Sequence, residues 1–417
     1  MSFRDSLVFH RDFRRLWSGD AASQIGTTTT LFVLPLLAVR ELHATPFQVG
    51  LVSTALTASF LVLGLPTGAW VDRMRRRRVL IVCDIGRALA LGSLPLAAAF
   101  GALTLPQLYG VALGYGVLTV FFDVAYQSYL PHLVGWDRLI EGNAKLAATQ
   151  SVAQMGGPTI GGFAVQILTA SYAVLANALC FAWSAAWIAL IRAREPRPPA
   201  KPVRHLGREI AEGLRFVLGH RLLRAIAGCT GSFNLFRMAS QPMMIVLLSS
   251  ELHLASGMIG LFFTVGAVGG VVGALFARRI ATVVGQGRAI WGSVAVAGPF
   301  ALLMPLAQDD WRLWLAAAGE FVVAFGGSVY DVAQVSFRQA LCEERLLGRM
   351  NATMRFLVWG TMPLGGLLGG GLGSLIGVRA VVWAASIGMA LAFLPVFLSP
   401  LRTMRELPTQ ERTTQAA

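Results

Sequence analysis

Several stretches of the chain contain no Asp, Glu, Lys or Arg, among them residues 21–39, 44–71, 146–191, 252–277, 289–308, 356–378 and 380–401. A helix needs roughly 20 predominantly apolar residues to cross the hydrocarbon core of a bilayer. The stretch 146–191 is long enough for two crossings, with a turn near Thr169 to Ser171. Together with runs broken by one or two charges, the pattern predicts twelve spans. They begin near Leu16, Phe47, Val79, Leu105, Asn143, Ala170, Leu222, Gly257, Arg288, Trp311, Asn351 and Arg379. The segment before the first span carries Arg4, Arg11, Arg14 and Arg15 and lacks a small-residue cleavage pattern, so that span is expected to stay in the mature protein.

The second half repeats the first. His10-Arg11 and Arg14 match His220-Arg221 and Arg224, and Glu41-Leu42-His43 matches Glu251-Leu252-His253, all 210 residues apart. Asp123-Val124-Ala125 matches Asp331-Val332-Ala333, Asn143-Ala144 matches Asn351-Ala352, and Gly161-Gly162 matches Gly369-Gly370, 208 apart. Six spans repeated in one orientation imply two bundles related by an axis along the membrane normal. The predicted organisation is a bundle over 1–191, a linker over 192–219, a second bundle over 220–400 and a tail over 401–417. The linker is either a short amphipathic helix on the inner membrane surface or a solvated basic connector.

Composition agrees with this reading. Of 417 residues 55% are hydrophobic and only 13% charged, against about a quarter charged in soluble proteins. The net charge of +14 would suggest nucleic acid in a soluble chain. With the N-terminus inside, however, 30 of the 35 Lys and Arg fall in inner segments. That asymmetry orients a helical membrane protein with both termini in the cytoplasm, and no nucleic-acid partner is needed. The four cysteines, Cys83, Cys180, Cys229 and Cys342, lack disulfide or metal-ligand spacing. His10-Arg11-Asp12 has no glycine-rich loop to accompany it as a kinase motif, and neither a Walker A sequence nor H-E-x-x-H occurs. No cofactor, metal or enzymatic activity is expected.

Two motifs point to one family. Between the second and third spans lies Gly68-Ala69-Trp70-Val71-Asp72-Arg73-Met74-Arg75-Arg76-Arg77. It resembles the G-x-x-x-D-R-x-G-R-R loop of the major facilitator superfamily, matching at Gly68, Asp72, Arg73, Arg76 and Arg77, with Arg75 in place of a glycine. In the fifth span, Ala153-Gln154-Met155-Gly156-Gly157-Pro158-Thr159-Ile160-Gly161-Gly162 resembles the G-x-x-x-G-P-x-x-G-G motif found mainly in antiporters of that superfamily, with Ala153 for the first glycine. Phe13-Arg14-Arg15-Leu16-Trp17 with Ser23 and Gly26, Asp84 with Arg87, and Asp123-Val124-Ala125-Tyr126-Gln127 are similar to the exporter branch that includes enterobactin and macrolide efflux proteins.

The resemblance implies an all-α membrane protein with twelve transmembrane helices in two pseudo-symmetric six-helix bundles. It also implies a cytoplasmic gate in which Asp72 engages the start of span 11 and neighbouring arginines; the alternative is an arginine cluster that only fixes topology. Asp123 and Asp331, at the cytoplasmic ends of spans 4 and 10, are placed to engage Arg73 to Arg78 and Arg278-Arg279 as gate elements. Gly157, Pro158, Gly161 and Gly162 would form a tightly packed, bendable seam, or a plain packing surface. The second copy of the loop keeps Gly273 and Arg278-Arg279 but has Ala277 in place of the acid, so any latch is asymmetric.

Charges inside spans cost several kcal/mol in hydrocarbon unless paired or hydrated, so they mark candidate working residues. Arg237 falls near the middle of span 7 and Glu320 near the middle of span 10. Glu320 is expected to be the proton-sensitive carboxylate with Arg237 its partner or an anion contact; a permanent structural pair is the alternative. By the resemblance, spans 1, 4, 7 and 10 line a central cavity. Asp20 with Gln24 would form a second polar surface there, or Asp20 would be a satisfied acid near the cytoplasmic end. Asp84 and Arg87 are spaced to pair along span 3 and read chiefly as structural. Leu108 to Phe122 in span 4 lacks the arginine of many proton-driven drug antiporters, which weakens the case for proton coupling.

The expected protein is a monomeric exporter of small amphipathic organic molecules in the inner membrane, driven by proton entry, with a small-molecule substrate, protons and lipid as its partners. A facilitator, importer or lipid translocator of the same fold, and a transport-inactive sensor or scaffold, remain open.

Overall fold

The structure is a computed structural model that describes residues 7–404 except 65, 72, 136–137, 194, 196–205 and 343. Among the described residues every regular element is helical. In chain order these are α1 (Arg11–Arg40), α2 (Pro46–Leu63), α3 (Pro66–Val71), α4 (Arg76–Ala99), α5 (Leu105–Val134), α6 (Leu139–Leu168), α7 (Ala170–Ala189), α8 (Leu206–Gly219) and α9 (Arg221–Val246). They continue with α10 (Ser256–Val284), α11 (Gln286–Ala297), α12 (Arg312–Leu341), α13 (Glu344–Trp359), α14 (Thr361–Ile376), α15 (Val378–Leu391) and α16 (Leu394–Phe397). A 3₁₀ segment, Gly298–Leu306, extends α11.

Ten helical stretches among the described residues are long and apolar enough to cross a membrane. The two remaining long helices, α6 with 30 residues and α9 with 26, are also of spanning length but more polar. Twelve passes are consistent with this set. The outward side chains are those of a protein solvated by lipid: Val62 is 70% exposed, Leu275 76% and Leu375 80%. A water-facing surface seldom displays so many large apolar groups together.

Local chemistry sets the element ends. His10 caps α1 by accepting the Phe13 N–H at 3.1 Å. Thr45 and Gln48 form a capping box ahead of α2, with Pro46 at the first helical position. The internal repeat is visible in the backbone. His43 and His253, 210 residues apart, have φ of 48° and 51°, and Thr169 and Gly377, 208 apart, have φ of 107° and 91°.

The chain forms two compact units, Met1–Val203 with His253–Thr264, and Arg204–Leu252 with Val265–Ala417. In the first, α1 packs against α6 and α7, and α4 against α5 and α7. In the second, α9 packs against α14 and α15, and α11 against α12. The linker does contain a helix, α8. It packs on α13 and α9 and contributes Val217 to a core with Leu223, Ile226, Tyr330, Phe337 and Met354.

Candidate functional site

In the second unit the two expected intramembrane charges meet. Arg237 Nη2 on α9 donates to Glu320 Oε1 on α12 at 2.8 Å. The Glu320 side chain is 7% exposed and that of Arg237 33%, so the pair is buried on its acidic side and partly accessible on its basic side. Gly266 of α10 makes room for the carboxylate: a β-carbon there would collide with Glu320 Cγ and come within 3.1 Å of Oε1. Asn234, three residues before Arg237, donates to the Val358 carbonyl at 3.4 Å and helps to hold this stretch of α9. Further along α12, Gly327 lies against the ring of Phe233, and Asp331 is exposed beside Gln334 and Arg338.

The first unit buries a larger polar network. Asp20 of α1 is buried and accepts from Gln24 Nε2 at 3.4 Å, with the Tyr126 hydroxyl of α5 beside it. Asp84 and Arg87 on α4 form an ion pair with side-chain exposures of 0% and 1%. The Arg87 guanidinium lies between two rings, 4.2 Å from the centroid of Phe122 and 4.4 Å from that of Phe181, and Nη2 also donates to Ser23 Oγ at 3.3 Å. Arg87 thereby ties α4 to α1, α5 and α7. A buried cation in hydrocarbon surroundings is tolerable because a carboxylate, a hydroxyl and two π faces replace its water.

The glycine motif of α6 is a contact surface. A β-carbon at Gly157 would sit 2.7 Å from Thr28 Cβ, and one at Gly161 would lie 2.9 Å from Thr29 and 3.0 Å from Val33. Thr28 Oγ1 donates to the Ala153 carbonyl at 3.0 Å, and Thr29 Oγ1 to that of Gly157 at 3.3 Å. Pro158 is carried inside a continuous α6. The opposite side of the motif, at Pro158 and Gly162, backs onto Gly260 in the opening turns of α10, which belong to this unit. Thr159 and Thr264 share a hydrogen bond of 2.6 Å on that side.

Of the expected gate residues, Asp72 lies outside the described residues. Gly68 is on α3 with open space beside it, Arg73 is exposed in the turn that follows, and Asp123 is half-buried on α5. Arg76 and Arg77 open α4. Arg77 binds the C-terminal carbonyls of α7, from Nε to Ile188 at 3.2 Å and from Nη2 to Ala189 at 2.6 Å. Arg278 and Arg279 are exposed at the far end of α10.

Comparison with known families places this architecture. Residues 7–416 match the transmembrane secretion effector family. The chain belongs to that family. Among curated relatives of this secretion effector, the enterobactin exporter EntS of Citrobacter koseri is 25% identical over 96% of this chain and 95% of its own. The multidrug efflux pump Tap of Mycolicibacterium fortuitum is 26% identical over 91% and 93%. Solved structures share the major facilitator fold. A bacterial homologue of the iron transporter ferroportin, captured in its inward-facing state, superposes with a TM-score of 0.74 at 16% identity, over 93% of this chain and 98% of that one. The nucleoside transporter NupG gives 0.76 at 11% identity, over 93% and 99%.

For this member of the family the structure also supplies neighbours that charge counting did not single out. Ser23 and Tyr126 stand in the residues that carried the resemblance but had no role assigned to them. Phe122 and Phe181 read only as apolar helix positions. Only helix rotation brings these four to the charges. A partial signal exists in the i, i+3 spacing of Asp20 and Ser23, which places both on one face of α1.

Proposed function

We propose that this secretion effector exports small amphipathic organic molecules, such as a drug, siderophore or other secondary metabolite, by alternating access coupled to proton entry. The observation that carries the reading is the Arg237–Glu320 pair, a carboxylate seated in a glycine notch with a partly accessible guanidinium as its partner. A carboxylate that can exchange Arg237 for a proton, and an arginine that can exchange Glu320 for a polar group of the substrate, together form a two-state element that both ligands bias. Asp20 and Gln24 supply a second polar surface, and the segment containing Gly68, Asp72, Arg73, Arg76 and Arg77 acts as the cytoplasmic gate with Asp123 and Asp331. Gly157, Pro158, Gly161 and Gly162 form the seam along which α6 moves against α1.

The protein is a transporter rather than an enzyme, works as a monomer, and lies in the inner membrane with both termini in the cytoplasm, as the inner bias of 30 of its 35 basic residues supports. Relatives that match nearly end to end and are named as exporter and efflux pump support the outward direction. Reconstitution in proteoliposomes with an imposed pH gradient, against a panel of amphipathic compounds, tests the proposal. Accumulation driven by the gradient in the parent and lost in Glu320→Gln supports coupling; wild-type rates in Glu320→Gln overturn it. The second reading is an uncoupled facilitator, favoured by the lack of an arginine between Leu108 and Phe122. In that case equilibration occurs without concentration under every gradient.

A further inference from the structure

Two carboxylates fasten the chain as it leaves α7. Asp12, in the first turn of α1, accepts the backbone N–H of Arg192 at 3.3 Å and that of Ala193 at 3.0 Å, and Arg15 Nη1 donates to it at 2.8 Å. Two residues on, Glu195 turns onto the start of α4. Its Oε1 accepts the Arg76 N–H at 2.9 Å and its Oε2 the Arg77 N–H at 3.1 Å, while the Arg76 guanidinium lies 3.8 Å from Oε1. The Glu195 side chain is 6% exposed. Arg75, the N-cap residue of α4, makes no side-chain cap bond of its own. A helix start leaves four N–H groups without partners and carries the positive end of the helix dipole. Here a carboxylate 119 residues away in sequence satisfies two of those groups with charge-assisted bonds.

The opposite polarity is used next door. The Arg77 side chain binds the carbonyls at the end of α7, where a cation is favoured by the dipole of that helix. The entry into α4 is therefore clamped from two sides, by Glu195 on its amides and by α7 on its second side chain. Ahead of this clamped point, Arg73 and Met74 are tied back to α3, by Arg73 N–H to the Trp70 carbonyl at 3.1 Å and Met74 N–H to that of Val71 at 3.0 Å.

We infer that Glu195 is a positioning residue of the cytoplasmic gate. By capping α4 from the start of the linker, it fixes the pose in which Arg73, Arg76 and Arg77 are presented. The inference rests on the proposed reading of the 68–77 segment as a gate. It also gives the start of the linker a second role, because Arg192, Ala193 and Glu195 fasten it to α1 and α4 of the first unit.

The test uses the full-length chain in inside-out vesicles, with Cys83, Cys180, Cys229 and Cys342 replaced and a reporter introduced as Gln24→Cys. A membrane-impermeant maleimide reads access from the cytoplasmic side. In Glu195→Gln and Glu195→Ala the labelling rate is expected to change about tenfold, the scale of one lost charge-assisted bond pair, with Glu195→Asp retaining part of the parent behaviour. Amide hydrogen exchange of the peptide containing Arg76 and Arg77 should accelerate in the same order, a local readout independent of transport. If Glu195→Ala fails to fold, Glu195→Gln and Glu195→Asp carry the comparison. Labelling unchanged in all Glu195 variants but altered in Asp72→Asn overturns the role of Glu195 and leaves the gate standing. Labelling insensitive to Asp72→Asn as well removes the gate reading and the inference with it.

Discussion

Arg237 and Glu320 share one hydrogen bond of 2.8 Å but not one environment, because the carboxylate is nearly buried while a third of the arginine side chain is exposed. The two halves of the pair should therefore fail differently. Arg237→Gln strands a buried carboxylate and is expected to cost about 3 kcal/mol, whereas Glu320→Gln leaves an arginine that water can reach and should cost under about 1 kcal/mol. Thermal unfolding in detergent measures the difference; equal losses would mean that the accessible side of Arg237 is closed in the working protein.

Asp84 and Arg87 present the opposite case, with both partners buried and the guanidinium held between Phe122 and Phe181. Arg87→Met alone should destabilise by about 3–5 kcal/mol through the unpaired Asp84, and the double replacement Asp84→Leu with Arg87→Met should recover a large part of it. Fluorescence-detected size exclusion of the parent and the two variants decides this. A double variant as unstable as the single one would assign the energy to the aromatic faces rather than to the pair.

The corner between α6 and α7 holds Thr169 at φ 107°, ψ 164°, a conformation reached comfortably only by glycine. The corresponding position of the second half, Gly377, already has a glycine, at φ 91°, ψ 150°. Thr169→Gly is expected to raise stability by about 1 kcal/mol by releasing that strain, seen as a higher unfolding midpoint with transport unchanged.

Within the α6 motif, neighbouring glycines should behave in opposite ways. Gly156 meets only Ile160 of its own helix, at 3.4 Å, so Gly156→Ala should be neutral or stabilising by about 0.5–1 kcal/mol. Gly157 lies against Thr28, and Gly157→Ala should cost about 1–3 kcal/mol and slow transport by separating α6 from α1. Parallel melting curves and vesicle transport assays read both.

Much of the fold could be read from the sequence because transfer into hydrocarbon is a large, local and additive free energy. Apolar runs and the placement of arginines therefore report spans directly. The two spans that fall outside the ten most apolar are α6, whose charge-free stretch is diluted by Gln154, Gln166 and the glycines and proline of its motif, and α9, which carries Asn234, Arg237 and Gln241. The Arg237–Glu320 and Asp84–Arg87 pairings could be anticipated, because an intramembrane charge needs a partner and few were on offer. Tyr126 beside Asp20, the ring sandwich around Arg87 and the capping of α4 by Glu195 could not. Each depends on how a helix is rotated, or on where an irregular segment turns, and no periodicity encodes either. The breaks at Gly64 after α2 and at Gly360 between α13 and α14 were likewise hidden inside continuous apolar runs.

The notch at Gly266 has an evolutionary consequence. Because α10 offers Glu320 a seat by the absence of a side chain there, a single methyl group at that position would displace the carboxylate while leaving both charges in the gene. Selection for altered substrate range or coupling in this protein thus has a route through a silent-looking glycine on a third helix. Variants isolated under such pressure should appear at position 266 before they appear at 237 or 320.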